Sequence, residues 1–348
     1  MAVELTSLAD VLALRFDDII DVRAPAEFAD DHLPGALSLP VLDDAERARV
    51  GTLYKQVSPF DARKLGAALV AKNAAAHLMG PLANRPGSWQ PLVYCWRGGQ
   101  RSGSFATILS QIGWRVQTVQ GGYKSWRSLV VAALQDQPFP CPVVVLDGNT
   151  GTAKTALLAQ LAAQGVQVLD LEALAGHRGS LFGAIGPQPS QRRFEGQLAL
   201  AMARLDPKRP VVIEAESSRI GRLNLPRGLW RAMTAAPRIT LDAPLDERAR
   251  YLAEAYADIA ADAGRLTAVL GWLRPSHPGE VIAEWEALAE ARQFTALARG
   301  LMQRHYDPRY AKHRARSAPP VAEIHAPRLD AEALPDLARR IAQAVPGL

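Results

Sequence analysis

Cys95 stands in Tyr94-Cys95-Trp96-Arg97-Gly98-Gly99-Gln100-Arg101-Ser102. An apolar run, Leu92-Val93-Tyr94, precedes it, and Phe105, Ile108, Leu109 and Ile112 follow at helical spacing. The pattern predicts a strand, a tight loop and a helix. Amide groups at a helix start are unpaired and carry partial positive charge, and glycines let successive amides turn inward as an anion nest. Gly98 and Gly99 supply that freedom, and Arg97 and Arg101 add two full charges. Such surroundings favour the thiolate, the nucleophilic form of cysteine, and suit an oxyanion such as phosphate. A buried, inert cysteine in an ordinary turn is the plainer alternative. Strand, nest and paired arginines together favour the reactive reading.

A second loop has the same logic without a thiol. Gly148-Asn149-Thr150-Gly151-Thr152-Ala153-Lys154-Thr155 follows the apolar run Val143–Leu146 and leads into a helical stretch, Ala156–Leu161. Strand, loop and helix in this order are the context a phosphate-binding P-loop requires. Gly148, Asn149, Thr150 and Gly151 would cradle a diphosphate with their amides, Lys154 would add a point charge, and Thr155 would be the usual magnesium contact. Ala153 stands where the pattern has its second glycine, and its methyl group narrows the cradle or opposes a positive φ. The alternative is an Ala-rich turn beside an exposed lysine.

Four further strings remain open between two readings each. Val211-Val212-Ile213-Glu214-Ala215-Glu216 resembles the acidic strand end of P-loop proteins. Glu214 or Glu216 would hold magnesium through water or accept a proton, or would only be neutralised by nearby arginines. His177-Arg178-Gly179-Ser180 and Gln188-Pro189-Ser190-Gln191 line a site or form a polar loop that caps the helix from Gln191. His305-Tyr306-Asp307-Pro308-Arg309-Tyr310 contacts RNA by stacking and charge, or packs at a helix end. Arg192, Arg193, Arg309 and Lys312 are basic candidates for RNA phosphate contacts, or solvated surface charges.

The elements that must position these groups fall into two α/β domains. With 348 residues, 48% of them apolar, the chain is long enough to bury two cores. Residues 1–137 alternate short strands with helices, including Asp43–Val50, followed by Gly51-Thr52-Leu53-Tyr54-Lys55-Gln56, and an Ala-rich helix over Lys64–Leu78. The proline-rich Gln137–Pro142 marks the boundary, so residues 138–348 form a P-loop α/β domain. Its C-terminal region, Leu245–Tyr306, is helical and broken at Pro275–Gly279, and Ser317–Pro320 sets off a last small segment ending in a helix.

Composition excludes several classes. Two cysteines, Cys95 and Cys141, make neither a disulfide framework nor a zinc pattern, and the seven histidines are scattered. Cys141, between prolines, reads as structural. A net charge of +5 allows an anionic partner without requiring one. No apolar run reaches membrane-spanning length and the start, Met1-Ala2-Val3-Glu4, shows no export signal, so a cytoplasmic protein with a reduced thiol is expected.

From Leu5 to Leu134 the chain resembles the rhodanese domain: Asp21-Val22-Arg23, Glu27-Phe28, His32-Leu33-Pro34-Gly35-Ala36, the Cys95 loop and Gly121-Gly122-Tyr123-Lys124-Ser125-Trp126 carry the likeness. Arg101 lies one position further from Cys95 than in the common short rhodanese loop, which implies room for more than a lone sulfur. The strings Gly51–Gln56, Cys95–Gly99, Leu171-Glu172, His177–Ser180, Gln188–Gln191 and Tyr306-Asp307-Pro308 together resemble the tRNA 2-selenouridine synthase family over nearly the whole chain.

That resemblance implies a transferase that replaces sulfur by selenium in the wobble 2-thiouridine of tRNA. The family transfers a geranyl group from geranyl diphosphate to the sulfur, after which selenophosphate supplies selenium and the geranyl thiol leaves. Cys95 would then be catalytic, with Arg97, Gly98, Gly99 and Arg101 as the selenophosphate loop and the P-loop holding the diphosphate. No tightly bound cofactor is expected apart from magnesium as a candidate. The expected partners are tRNA and an enzyme supplying selenophosphate. Two other classes stay open at this level: a nucleotide-dependent rhodanese sulfurtransferase, and a non-catalytic tRNA-binding selenium carrier.

Overall fold

Each of the two loops leaves the C-terminal end of an inner strand of its own parallel sheet. The computed structural model describes residues 2–180, 182–184, 186–314 and 318–345. The chain divides into two units. One is formed by the residues up to Pro138 together with Pro189–Arg204, the other by Phe139–Gln188 with the residues from Leu205 onward.

In the first unit the strands are β1 (Ala2–Val3), β2 (Asp18–Asp21), β3 (Ala36–Ser38), β4 (Pro91–Tyr94) and β5 (Gln117–Val119), in the order β1-β5-β4-β2-β3. All pairs are parallel. All four residues of β4 are buried, which is why it reads as a continuous apolar run rather than an alternating one. Phe105 and Leu109 of the following helix, Gln100–Ile112, are fully buried against it.

Between β3 and β4 runs a helical hairpin, Asp44–Gln56 and Pro59–Met79. The first helix continues through Gly51–Gln56, beyond the Val50 end expected from sequence. It starts with a capping box in which Asp43 accepts from the Glu46 amide and Glu46 accepts from the Asp43 amide. The second starts at Pro59 rather than Lys64. Ser58 caps it, and a proline in the first turn costs no hydrogen bond.

The helix Gln191–Ala203 also belongs to the first unit, whereas a single cut after Gln137 assigns it to the second domain. Arg192 pairs with Asp30 at 2.6 Å, Glu195 pairs with Arg127, and a Cβ on Gly196 would lie 3.0 Å from the Trp126 ring. Glycine at this position lets the helix approach that closely.

The second unit contains β6 (Val143–Gly148), β7 (Gln167–Leu169), β8 (Val211–Glu214), the antiparallel ribbon β9 (Arg219–Ile220) and β10 (Leu223–Asn224), β11 (Arg238–Asp242) and β12 (Ala322–His325). The five-stranded sheet is parallel, in the order β12-β11-β6-β8-β7. The last small segment is therefore not separate: β12 closes one edge of the sheet. Leu334, Leu337, Ala338 and Ile341 of the helix Leu334–Ala344 share a core with Leu157, Leu158 and Leu161 of the helix Lys154–Ala163. Ser317, at the start of the expected separator, lies outside the described residues.

The helices Leu245–Ala255, Ala263–Gly271, Gly279–Glu290 and Phe294–Leu301 follow the expected helical region, broken at Arg274–Ser276. Several of them enclose a core around Trp285, Leu270 and Leu301. Among the described residues no helix is long and apolar enough to cross a membrane.

Candidate active sites

The Cys95 loop is built by close backbone packing. Gly98 (φ +65°) and Gly122 (φ +60°) face each other: a Cβ on Gly122 would lie 2.6 Å from the Gly98 nitrogen, and one on Gly98 would lie 2.7 Å from the Val119 carbonyl. Only glycine fits both the conformation and the gap. Across this contact the Tyr123 amide donates to the Cys95 carbonyl at 2.8 Å, and the Lys124 amide to the Trp96 carbonyl at 3.0 Å. Tyr123 is held in turn. Its hydroxyl donates to Asp31 at 2.8 Å, and the guanidinium of Arg23 lies 3.9 Å from the centre of its ring. Arg23 and Asp21 form a fully buried ion pair.

Cys95 itself is buried, with the Ser102 hydroxyl 3.1 Å from its sulfur. Trp96, Arg97, Gly98 and Gly99 are exposed, so the loop opens to solvent beside the thiol. Arg101 turns away from the role expected of it: its Nη1 pairs with Glu27 at 2.8 Å. Burial works against the Glu27 charge, but the Arg101 hydrogen bond and charge outweigh it and hold the carboxyl below its ordinary value. Arg97 remains as the exposed cation of the loop. In the sequence Glu27 stands only within the Glu27-Phe28 string, and Ser102 does not stand out as a site residue. The signal for Ser102 is its place in the first turn of the helix, where its side chain faces back toward Cys95.

In the second unit the P-loop spans β6 and the helix Lys154–Ala163. Gly151 has φ +86°, and a Cβ there would lie 2.8 Å from the Arg248 carbonyl. Ala153 is buried and adopts φ +58°, the left-handed conformation that its pattern normally reserves for glycine. The methyl group thus does not prevent the loop; it is strained within it. Lys154 folds back over the loop, its Nζ donating to the Gly148 carbonyl at 3.0 Å. Burial disfavours its charge, but Tyr310, Glu214, Glu216 and Asp147 prevail and raise its pKa. The Asn149 side-chain oxygen is buried with no hydrogen-bond partner.

Thr155 donates toward two carboxylates, Glu172 at 2.9 Å and Glu214 at 3.2 Å. With Glu216 these form a cluster whose ligand oxygens lie within 4.8 Å of one another. Burial and then mutual repulsion push Glu172 up to about 7 and Glu214 and Glu216 to about 8. Three carboxyls beside a P-loop threonine make an all-oxygen donor set that fits a hard divalent cation, whose charge would favour their ionised forms. Glu172 was not singled out from sequence as a site residue, because it reaches the cluster from a different strand end than Glu214 and Glu216.

The open strings now separate. Gly179 (φ +65°) packs directly on the cluster: a Cβ would lie 2.3 Å from Glu172 and 2.6 Å from Glu216. His177–Ser180 therefore lines the site. Gln188 instead braces the β9–β10 ribbon through the Ile220 carbonyl and the Arg222 amide, and Ser190 caps the helix Gln191–Ala203. Arg192 is paired with Asp30, and Arg193 reaches toward His32 at 3.5 Å. Lys312 is exposed. Cys141 is a buried free thiol, which burial and then Asp206 push up to about 11, as expected of a structural cysteine.

The P-loop and carboxylate cluster line a cleft of about 1250 Å³, to which Arg178, Arg238, Arg309 and Tyr310 also contribute. An apolar pocket lined by Phe182, Ile259, Leu266, Phe294, Leu297 and Leu301 adjoins it and shares Thr150, Ser180, Leu252, Tyr256 and Tyr306 with the cleft. His305 is buried between His277, at 2.9 Å, and Arg309, at 2.8 Å.

Residues 141–269 match the family described as tRNA 2-selenouridine synthase AAA domain, and residues 4–129 match the rhodanese-like domain. The chain is 39% identical over 255 residues to the tRNA 2-selenouridine synthase of Shewanella denitrificans, spanning 71% of this chain and 67% of that protein. It is 39% identical over 259 residues to that of Aeromonas salmonicida, spanning 73% and 69%. To that of Pseudomonas syringae pv. tomato it is 33% identical over 350 residues, spanning 89% of this chain and 92% of the relative. With a rhodanese-like sheet carrying the cysteine loop and a P-loop sheet carrying the second site, the chain belongs to the tRNA 2-selenouridine synthase family.

Proposed function

We propose that the protein exchanges sulfur for selenium in the wobble 2-thiouridine of tRNA through an S-geranylated intermediate. The observation that carries the geranyl step is the apolar pocket adjoining the P-loop cleft. A prenyl diphosphate has a multiply charged anionic head and a hydrocarbon tail, and the cleft and pocket offer complementary surfaces for both. The thiocarbonyl sulfur attacks C1 of the geranyl chain, the C1–O bond breaks, diphosphate leaves, and the N3 proton of the base passes to solvent. Thr150 and Gly151, which line the cleft, would cradle the departing charge with their amides and Lys154 with its ammonium, whereas the Gly148 amide expected to join them donates to Asp147 and neither Gly148 nor Asn149 lines the cleft.

A magnesium ion would be held by Thr155, Glu172, Glu214 and Glu216, and would supply neutralising charge to the diphosphate. In the second step selenium of selenophosphate adds to C2 of the base, the C2–S bond breaks and geranyl thiol leaves. Water then takes the phosphoryl group from selenium. The Cys95 loop, with the exposed Arg97 at its opening, is the candidate site for the selenophosphate anion, and a selenophosphate-supplying enzyme would be the upstream partner.

The test is mass spectrometry of tRNA nucleosides after incubation with geranyl diphosphate, selenophosphate, both or neither. Selenouridine only with both, and S-geranyl-2-thiouridine with geranyl diphosphate alone, is the expected pattern. Full selenouridine without geranyl diphosphate would overturn the intermediate.

A further inference from the structure

The helix Asp44–Gln56 buries none of its side chains, and the Gly51–Gln56 string within it has no part in either site above. Around the turn that joins it to Pro59–Met79, three large apolar side chains face solvent: Tyr54 (53% exposed), Val57 (73%) and Phe60 (66%). Between Arg47 and Lys64 the chain carries five cationic side chains and one acidic one, Asp61. Arg49, Lys55, Arg63 and Lys64 are all exposed.

We propose that this hairpin is a docking surface for the single-stranded loop of the RNA substrate, with Tyr54 and Phe60 stacking on unpaired bases and Arg49, Lys55, Arg63 and Lys64 neutralising phosphates. Aromatic faces among cations are what an unstacked RNA loop needs, since every base offers a π-face and every nucleotide a charge. A protein–protein interface would be depleted of lysine at its centre. The surface is pre-organised by the capping box at Asp43, the Ser58 cap, and Asn73, which donates to both Glu46 and the Val41 carbonyl.

The hairpin also connects to the thiol loop. Arg47 and Arg101 share one Glu27 oxygen, at 3.6 and 2.8 Å. Tyr54 follows Arg47 by seven residues, so it lies on the same helix face about 10 Å further along. RNA stacked on Tyr54 would thus lie along the face that leads to the Cys95 loop.

The assignment rests on the reading of tRNA as substrate, and the experiment separates the two. Binding of the full-length protein to a fluorescent anticodon stem-loop is measured over a salt series for wild type and for Tyr54→Ala, Phe60→Ala, Tyr54→Phe and the double variant Lys55→Ala/Arg63→Ala. Each aromatic truncation is expected to weaken binding about tenfold, while Tyr54→Phe binds like wild type. The double variant is expected to lower the slope of log K against log salt by about 1.4. Thermal melts should coincide for all, since these side chains are exposed. If wild type binds and all variants bind equally, the surface is overturned and the tRNA reading stands. If they alter only the sedimentation of the protein, the hairpin is a contact between copies and the proposal falls. A wild-type protein that binds no tRNA overturns both.

Discussion

Arg248 grips Asp307 with both terminal nitrogens, at 3.0 and 2.8 Å, and the same Nη1 lies 3.2 Å from the Thr150 carbonyl. The Tyr306-Asp307-Pro308 string is thereby tied to the phosphate-binding loop through a buried guanidinium. Asp307→Ala leaves that cation without its carboxylate. A loss of about 2–3 kcal/mol in urea unfolding is expected, with Asp307→Asn losing less because it keeps one hydrogen bond. A loss below about 0.5 kcal/mol for both, a typical surface-substitution effect, would show that the pair does not support the loop.

Ala153 supplies a second stability test. A glycine there relieves a left-handed strain of about 1–2 kcal/mol, partly offset by the greater freedom of glycine in the unfolded chain. Ala153→Gly should therefore match or exceed the wild-type unfolding midpoint. Ala153→Val, β-branched at φ +58°, should fall clearly below it. A marked loss of stability in Ala153→Gly would mean that the left-handed conformation is not strained.

His305 makes unfolding pH-dependent. Burial first, then the charges of Arg309 and His277, lower its pKa from 6.5 to about 4. Between these values the unfolded ring binds more protons than the folded one. Its contribution is fully present above about pH 6.5 and is lost as pH falls toward 4. The upper limit is about 3.4 kcal/mol, and solvent screening lowers it. Melting temperatures from pH 4.5 to 7.5 should rise more steeply for wild type than for His305→Gln. Parallel curves would contradict this placement of the histidine.

What was legible in the sequence was local. Cys95, Gly98 and Gly99, and the run from Gly148 to Thr155, each lie in one continuous strand–loop–helix stretch, so spacing alone marks both loops. What was not legible depends on distant strand ends meeting. Glu172 joins Glu214 and Glu216 because β7 and β8 are neighbours in the sheet. The Arg101–Glu27 pair, which takes up a cation expected to face the anion, spans 74 positions. The helix Gln191–Ala203 is read as part of the domain that precedes and follows it in sequence, and its contacts over long sequence separations, the fit of Gly196 on Trp126 and the pairs Arg192–Asp30 and Glu195–Arg127, place it otherwise.

The most direct test of the two-step reading gives Lys154→Ala and Cys95→Ser each two substrates: tRNA with 2-thiouridine and tRNA already S-geranylated. Nucleosides are read by mass spectrometry with geranyl diphosphate and selenophosphate present. Lys154→Ala should fail on the first and convert the second, because it lacks only the charge that helps hold the diphosphate. Cys95→Ser should geranylate the first and convert neither to selenouridine, since it alters the loop that is the candidate selenophosphate site and leaves the P-loop untouched. Equal failure of Lys154→Ala on both substrates, or full selenouridine yield from Cys95→Ser, would contradict the assignment of one step to each loop.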